Sequence, residues 1–311
     1  MEYKNLKSLN NKVSKIGLGC VTFGREINEN QSLEVLDKAF DHGINLLNTS
    51  YYYSNGNSEK ILGKFFQTRK NRKKFIIVSK IHGDLSSSVI ENCINQSLQR
   101  MNTDYIDFYG ITYDPNSKLD NILETMTKFQ KQGKILKVAC NNYNYNLLNS
   151  SKKIQKEVGH STFGMIETVY NILYRGVEKQ LVEYCSKENI DIITYSPLGA
   201  GFITGKYKNG IASPSKTRFD IKPAHKDIYF KKKFFDTMNK MEALSKETNM
   251  TLVDLALSWV INKKFIASIL IGVRELSHIE RPIYLLKNKI DKVILSKIDK
   301  ITQDNLNLID P

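Results

Sequence analysis

The sequence is poor in the residues that staple or divide a chain. Its four cysteines, Cys20, Cys93, Cys140 and Cys185, are scattered with no CxxC pair, which excludes a disulfide framework and a zinc site as organising elements. Five isolated histidines make no metal-ligand spacing. With six prolines and no Pro/Gly/Ser-rich tract, nothing reads as an interdomain linker, and no low-complexity segment or short repeat interrupts the chain. No apolar run is long enough to span a bilayer, and the N-terminus carries no signal-peptide core. A soluble, cytoplasmic protein with no membrane partner is the expectation.

Acidic residues are also few beside basic ones, 32 against 46, which leaves a net charge of +14. Such an excess raises the question of nucleic acid. The lysines are spread along the chain, however, and no recognition motif accompanies them, so no nucleic-acid partner is expected. The densest basic run, RKNRKK at residues 69–74, falls in a helix-to-strand turn on the face away from the expected active site. The heavy use of lysine, asparagine and isoleucine reads as a genome-wide bias, and its functional residue is attraction for an anionic or sugar-like small molecule.

What is present is alternation. Apolar runs of strand length precede helix-length amphipathic segments: GINLLN before SEKILGKFF, FIIVSK before SSVIENCINQSLQRM, and YIDFYGI before LDNILETMTKFQKQ. Repeated β-then-α units with short polar links imply a parallel sheet with helical crossovers. About eight such units in 311 residues fit one α/β domain over residues 1–311, a (β/α)8 TIM barrel. Extra helices in the C-terminal half, from about residue 229 to 246 and from residue 292 onward, lie outside the barrel count. The irregular stretch 209–227 is a candidate lid.

Several motifs give the barrel a family. Residues 43–63, GINLLNTSYYYSNGNSEKILG, resemble the aldo-keto reductase signature GINFFDTAxxYGxGxSExxLG. IGLGCVTFG (16–24), FIIVSK (75–80), DYIDFYGIT (104–112), GKILKVACNNY (133–143), YNILYRGVE (170–178), YSPLGAGFITGKY (195–207) and IGVREL (271–276) resemble the other motifs of that family, in its order. The resemblance implies a nicotinamide-dependent reduction in which Tyr53 donates the proton and Lys80 lowers its pKa, because tyrosine starts near 10 and an adjacent cation favours the phenolate.

The same resemblance marks departures. Asn48 stands where the family has the catalytic aspartate, so Lys80 keeps a hydrogen bond and loses a counter-charge. Thr112 stands where a histidine orients the substrate carbonyl. Two of four tetrad positions are therefore changed. Tyr52 is expected to project toward the substrate space or to pack the loop. On the cofactor side, Tyr195 is implied to stack on the nicotinamide. Ser196, Leu198, Gly201 and Lys206 are implied to hold the pyrophosphate, as phosphate loops do. Asn141, Asn142 and Glu167 occupy the carboxamide positions, with Asn141 replacing serine and Glu167 replacing glutamine; Glu167 can accept from an amide NH2.

Arg274 is implied at the adenosine end, where Glu275 replaces a serine or threonine that contacts a 2′-phosphate. A carboxylate there repels that phosphate, so NADP is disfavoured, which leaves NAD, weak binding or no cofactor. Pro282 replaces an adenine-contacting asparagine, and Arg281 is expected to compensate in part. Three functions fit these residues: an oxidoreductase with a modified tetrad acting on a small carbonyl or sugar-like substrate, a redox-neutral lyase, dehydratase or epimerase using Tyr53 and Lys80, and a regulatory pseudo-enzyme.

Overall fold

A computed structural model describes residues 1–112, 118–207, 213–215, 217–221 and 223–307. Its centre is a closed parallel barrel of eight strands: β3 (Ile16–Gly19), β4 (Leu46–Asn48), β5 (Ile76–Ile81), β6 (Ile106–Thr112), β7 (Ile135–Asn141), β8 (Phe163–Val169), β9 (Asp191–Tyr195) and β10 (Ile266–Gly272). β10 pairs with both β3 and β9, which closes the sheet on itself. Two strands that the alternation did not suggest, β1 (Tyr3–Asn5) and β2 (Lys12–Ser14), form an antiparallel hairpin. Leu6 and Val13 from this hairpin pack into the same cluster as the barrel's inward side chains and plug its N-terminal end.

Helices α1 (Glu29–Asp41), α2 (Asn57–Arg69), α3 (Ser87–Met101), α4 (Leu119–Lys131), α5 (Tyr145–Val158) and α6 (Leu181–Lys187) follow successive strands. They form because each carries an apolar stripe that the outer face of the barrel buries. Their ends are set locally. Asn28 and Gln31 close a capping box at the start of α1, each side chain bonding the other's backbone N–H at 3.0 Å. The remaining helices are α7 (Arg218–Ile221), α8 (Lys226–Tyr229), α9 (Lys232–Thr248), α10 (Leu252–Ile261), α11 (Ser277–Lys287) and α12 (Lys292–Ile301). The extra helix expected over 229–246 is α9, set back to start at Lys232. The expected C-terminal helix is α12. Within the candidate lid 209–227, residues 209–212, 216 and 222 lie outside the described residues.

Two cores result. The larger lies between barrel and helices. The smaller fills the barrel with Leu46, Ile76, Val78, Phe108, Ala139, Met165, Ile193, Ala267 and Leu270. Side chains alternate across a strand, so the residues two positions further along each of these strands also face inward. On β4 that residue is Asn48, on β5 Lys80, on β7 Asn141, on β8 Glu167 and on β9 Tyr195. The barrel interior therefore turns from apolar to polar toward the C-terminal ends of its strands, the end that carries active sites in this architecture. No described helix is long and apolar enough to cross a membrane.

Candidate active site

At the floor of this polar layer, Lys80 extends into a cage. Its Nζ donates to Asn48 Oδ1 at 2.7 Å and to both carboxylate oxygens of Glu167 at 2.8 Å. Asn48 Nδ2 in turn donates to Glu167 Oε2 at 2.7 Å. The side chains of Lys80 and Glu167 are only 11% and 7% exposed, so this ion pair is shielded from water. The expectation that Lys80 lacks a counter-charge is thereby corrected: the carboxylate comes from β8 instead of β4. Burial pulls the Lys80 pKa down, but Glu167 first and then Tyr53 outweigh it, and the net direction is up from the usual 10.5. Lys80 is a cation throughout the neutral range.

Tyr53 belongs to the loop that follows β4. The Lys80 ammonium lies 5.4 Å from the centre of its ring. The loop is tied to β5 by Ser50 Oγ and Tyr51 N, which both donate to the Lys80 carbonyl at 3.0 and 3.1 Å. Its exit is tightly wound, with Ser54, Asn55 and Gly56 at φ of 51°, 53° and 86°. Arg100 on α3 braces it from behind. One guanidinium nitrogen donates to the Tyr51 carbonyl at 3.0 Å and to Glu59 Oε2 at 3.2 Å, and the group lies 4.3 Å from the Tyr51 ring centre. A Cβ at Gly56 would fall 2.5 Å from that guanidinium, so glycine is required there for space as well as for φ. The loop motif marked Glu59 and Gly56 in the sequence; Arg100 lies on another helix and no local pattern marks it.

Tyr52 is 40% exposed, and its ring packs against Tyr51 at 5.0 Å and His82 at 4.5 Å. Partial burial and the Lys80 charge hold His82 below the usual histidine pKa. Thr112 ends β6, half-buried and in register with Asn141.

The cofactor-side residues form an arc on β7 to β9. Asn141 is buried, and no hydrogen-bond partner meets its Oδ1 among the described residues. That oxygen lies in the space a side chain on Gly110 would fill, 2.4 Å from the position of the missing Cβ. It is a buried acceptor with no partner among the described residues, packed over Gly110. Asn142 adopts a left-handed φ of 56°, and its Oδ1 accepts from the Tyr195 hydroxyl at 3.2 Å. Glu167 is brought to this arc as well, but its carboxylate is turned to Lys80 and Asn48.

Beyond Tyr195 the chain winds through Ser196 and Gly201 at φ of 54° and 91°, with the Leu198 carbonyl closing turns to Gly201 and Ile203. A Cβ on Gly201 would meet the Lys206 ammonium at 3.5 Å. Burial of part of its side chain, then the nearby Arg274 charge, pull the Lys206 pKa down. Cations thus crowd this rim. Glu26, in the loop after β3, accepts from Arg25 at 2.5 Å and lies 3.6 Å from Arg274 and 3.9 Å from Arg218.

At the positions expected for the adenosine end, Arg281 forks onto Asp254, with Nε to Oδ1 at 2.6 Å and its other contact to Oδ2. Glu275 pairs with His278 at 3.1 Å and is 67% exposed. Pro282 sits buried inside α11.

The model of the Aldo/keto reductase family matches residues 15–303, and the chain belongs to that family. Its closed (β/α)8 barrel accords with this membership, and the family is one of nicotinamide-dependent oxidoreductases.

Proposed function

We propose that this protein is an NAD-preferring oxidoreductase that reduces a small carbonyl or sugar-like substrate through a modified tetrad. The observation that carries this reading is the Tyr53–Lys80 pair, in which a buried lysine keeps both its charge and a carboxylate partner beside the tyrosine. When bound, the nicotinamide cofactor supplies the hydride. The Tyr53 hydroxyl gives its proton to the carbonyl oxygen, and the Lys80 ammonium stabilises the phenolate left behind. Asn141 and Asn142 would hold the carboxamide, Tyr195 the nicotinamide face, and Ser196, Leu198, Gly201 and Lys206 the pyrophosphate. Thr112 lines the substrate side, where a hydroxyl replaces the family's imidazole. The exposed carboxylate of Glu275 disfavours a 2′-phosphate.

The test is consumption of NADH and NADPH against a panel of aldehydes, ketones and sugar phosphates, in wild type and Tyr53→Phe. Turnover that falls by about 10²–10⁴-fold in the variant is the expected outcome. Absence of turnover with every carbonyl would end this reading. Product formed with no net change in cofactor would select the redox-neutral use of Tyr53 and Lys80 instead.

A further inference from the structure

Lys80 and Glu167 lie on strands that do not touch. β6 and β7 separate β5 from β8, and the two side chains meet across the barrel interior. The intervening strands leave room for this. The inward residue of β6 beside Lys80 is Gly110, where a Cβ would lie 3.2 Å from the Lys80 Cβ. On β7 the inward residues are the small Ala139 and, two further on, Asn141, whose Oδ1 takes the space over Gly110. Asn48 completes the cage: its amide oxygen accepts a hydrogen bond from Lys80 on one side and its NH2 donates one to Glu167 on the other. A carboxylate at position 48 would instead face Glu167 as a like charge, and one of the two would hold a proton.

We propose that Asn48 and Glu167 form one matched unit, in which Glu167 is the positioning residue that supplies the Lys80 counter-charge from across the barrel and Asn48 is neutral because Glu167 is charged. Two changes that read in sequence as separate losses are then a single relocation of charge. The proposal rests on the oxidoreductase reading only in what it implies for turnover, since the cage itself is a matter of protonation. Among the described residues, the titratable groups facing Lys80 are Glu167 from β8, Tyr53 from the loop after β4, Cys20 from the turn after β3, and His82 further along β5. Burial holds the Cys20 thiol far above its usual range, so it remains neutral and does not compete for the ammonium.

The experiment is an NMR titration of the Lys80 side chain in the full-length protein, with lysine selectively labelled and the Lys80 signal assigned by its loss in Lys80→Met. Wild type is expected to titrate above the ordinary lysine value. Glu167→Gln leaves burial unopposed by a carboxylate and moves the midpoint below that value, whereas Asn48→Asp/Glu167→Gln returns it above. An unchanged Lys80 titration in Glu167→Gln overturns the proposal, and so does a low midpoint in the double variant. Should Glu167→Gln not fold, the double variant still carries the test: it must fold and titrate like wild type, and failure of either overturns the unit. None of these readouts needs turnover. A protein that reduces no carbonyl but shows the expected midpoints fails the functional reading alone, and an active enzyme with unmoved midpoints fails this one.

Discussion

At the floor of the site, where Lys80 and Glu167 are 11% and 7% exposed, every charge is met inside one cage. At the adenosine rim, Glu275 is 67% exposed, its partner is a histidine three residues on, and the nearby Arg281 belongs to Asp254. Both regions depart from the family pattern, but they depart differently. A buried charge left without its partner is strongly destabilising, so a change at position 48 is tolerated only with a matching change elsewhere. An exposed charge is screened by water and salt, so Glu275 requires no second change. Paired departures at the floor therefore keep the lysine's charge matched, whereas a single departure at the rim leaves the fold's charge balance untouched.

The contrast is broken most strongly by removing the floor's carboxylate. Glu167→Gln is expected to lower the unfolding free energy by about 3–5 kcal/mol, the usual cost of orphaning one member of a buried pair. The pH dependence follows from the direction of the Lys80 shift. Its folded value is raised above the unfolded 10.5, so its contribution to stability is complete below about pH 10.5 and is lost as pH rises through the folded value. Denaturant unfolding on either side of pH 10.5 should show that alkaline loss in wild type and not in Glu167→Gln.

A smaller effect is expected at the rim. Glu275→Ser should tighten NADPH binding by about 1 kcal/mol, roughly fivefold in Kd, with NADH unchanged, as read by calorimetry. Equal changes for both cofactors would remove Glu275 from the discrimination.

The smallest belongs to Arg281→Ala, which should cost no more than about 1 kcal/mol at neutral pH, because the half-exposed arginine covers the 5% exposed Asp254 and its removal opens that carboxylate to water. Burial raises the Asp254 pKa, but the hydrogen bonds from Arg281 and Thr251 bring it below the usual 3.8. That contribution is present above about pH 3.8 and disappears as pH falls below it. The difference between wild type and Arg281→Ala should vanish in the same acid window.

The barrel was legible because its signals are local. GINLLN ends in β4, FIIVSK becomes β5, and DIITYS becomes β9, each a short apolar run bounded by a helical segment. Tyr53 and Lys80 were legible for the same reason, since each sits in a motif a few residues long. The partnership of Lys80 with Glu167 was not, because 87 residues and two strands separate them. Only the inward parity of Met165 and Glu167 on β8, set beside that of Val78 and Lys80 on β5, could have suggested it. The same limit hid Arg281 from Asp254, 27 residues earlier on another helix. It also hid Arg100 behind the Tyr53 loop. Resemblance to a family predicts what each position held, and only packing tells which of the changes compensate one another.

The most direct test of relocated charge is a double-mutant cycle on stability, with unfolding free energies measured at pH 7 for wild type, Asn48→Asp, Glu167→Gln and Asn48→Asp/Glu167→Gln. Both single variants are expected to be destabilised, one by an orphaned lysine and the other by two carboxylates facing one ammonium, with the double variant recovering most of the loss. Additive losses in the double variant would contradict the account, because Asn48 and Glu167 would then be independent changes.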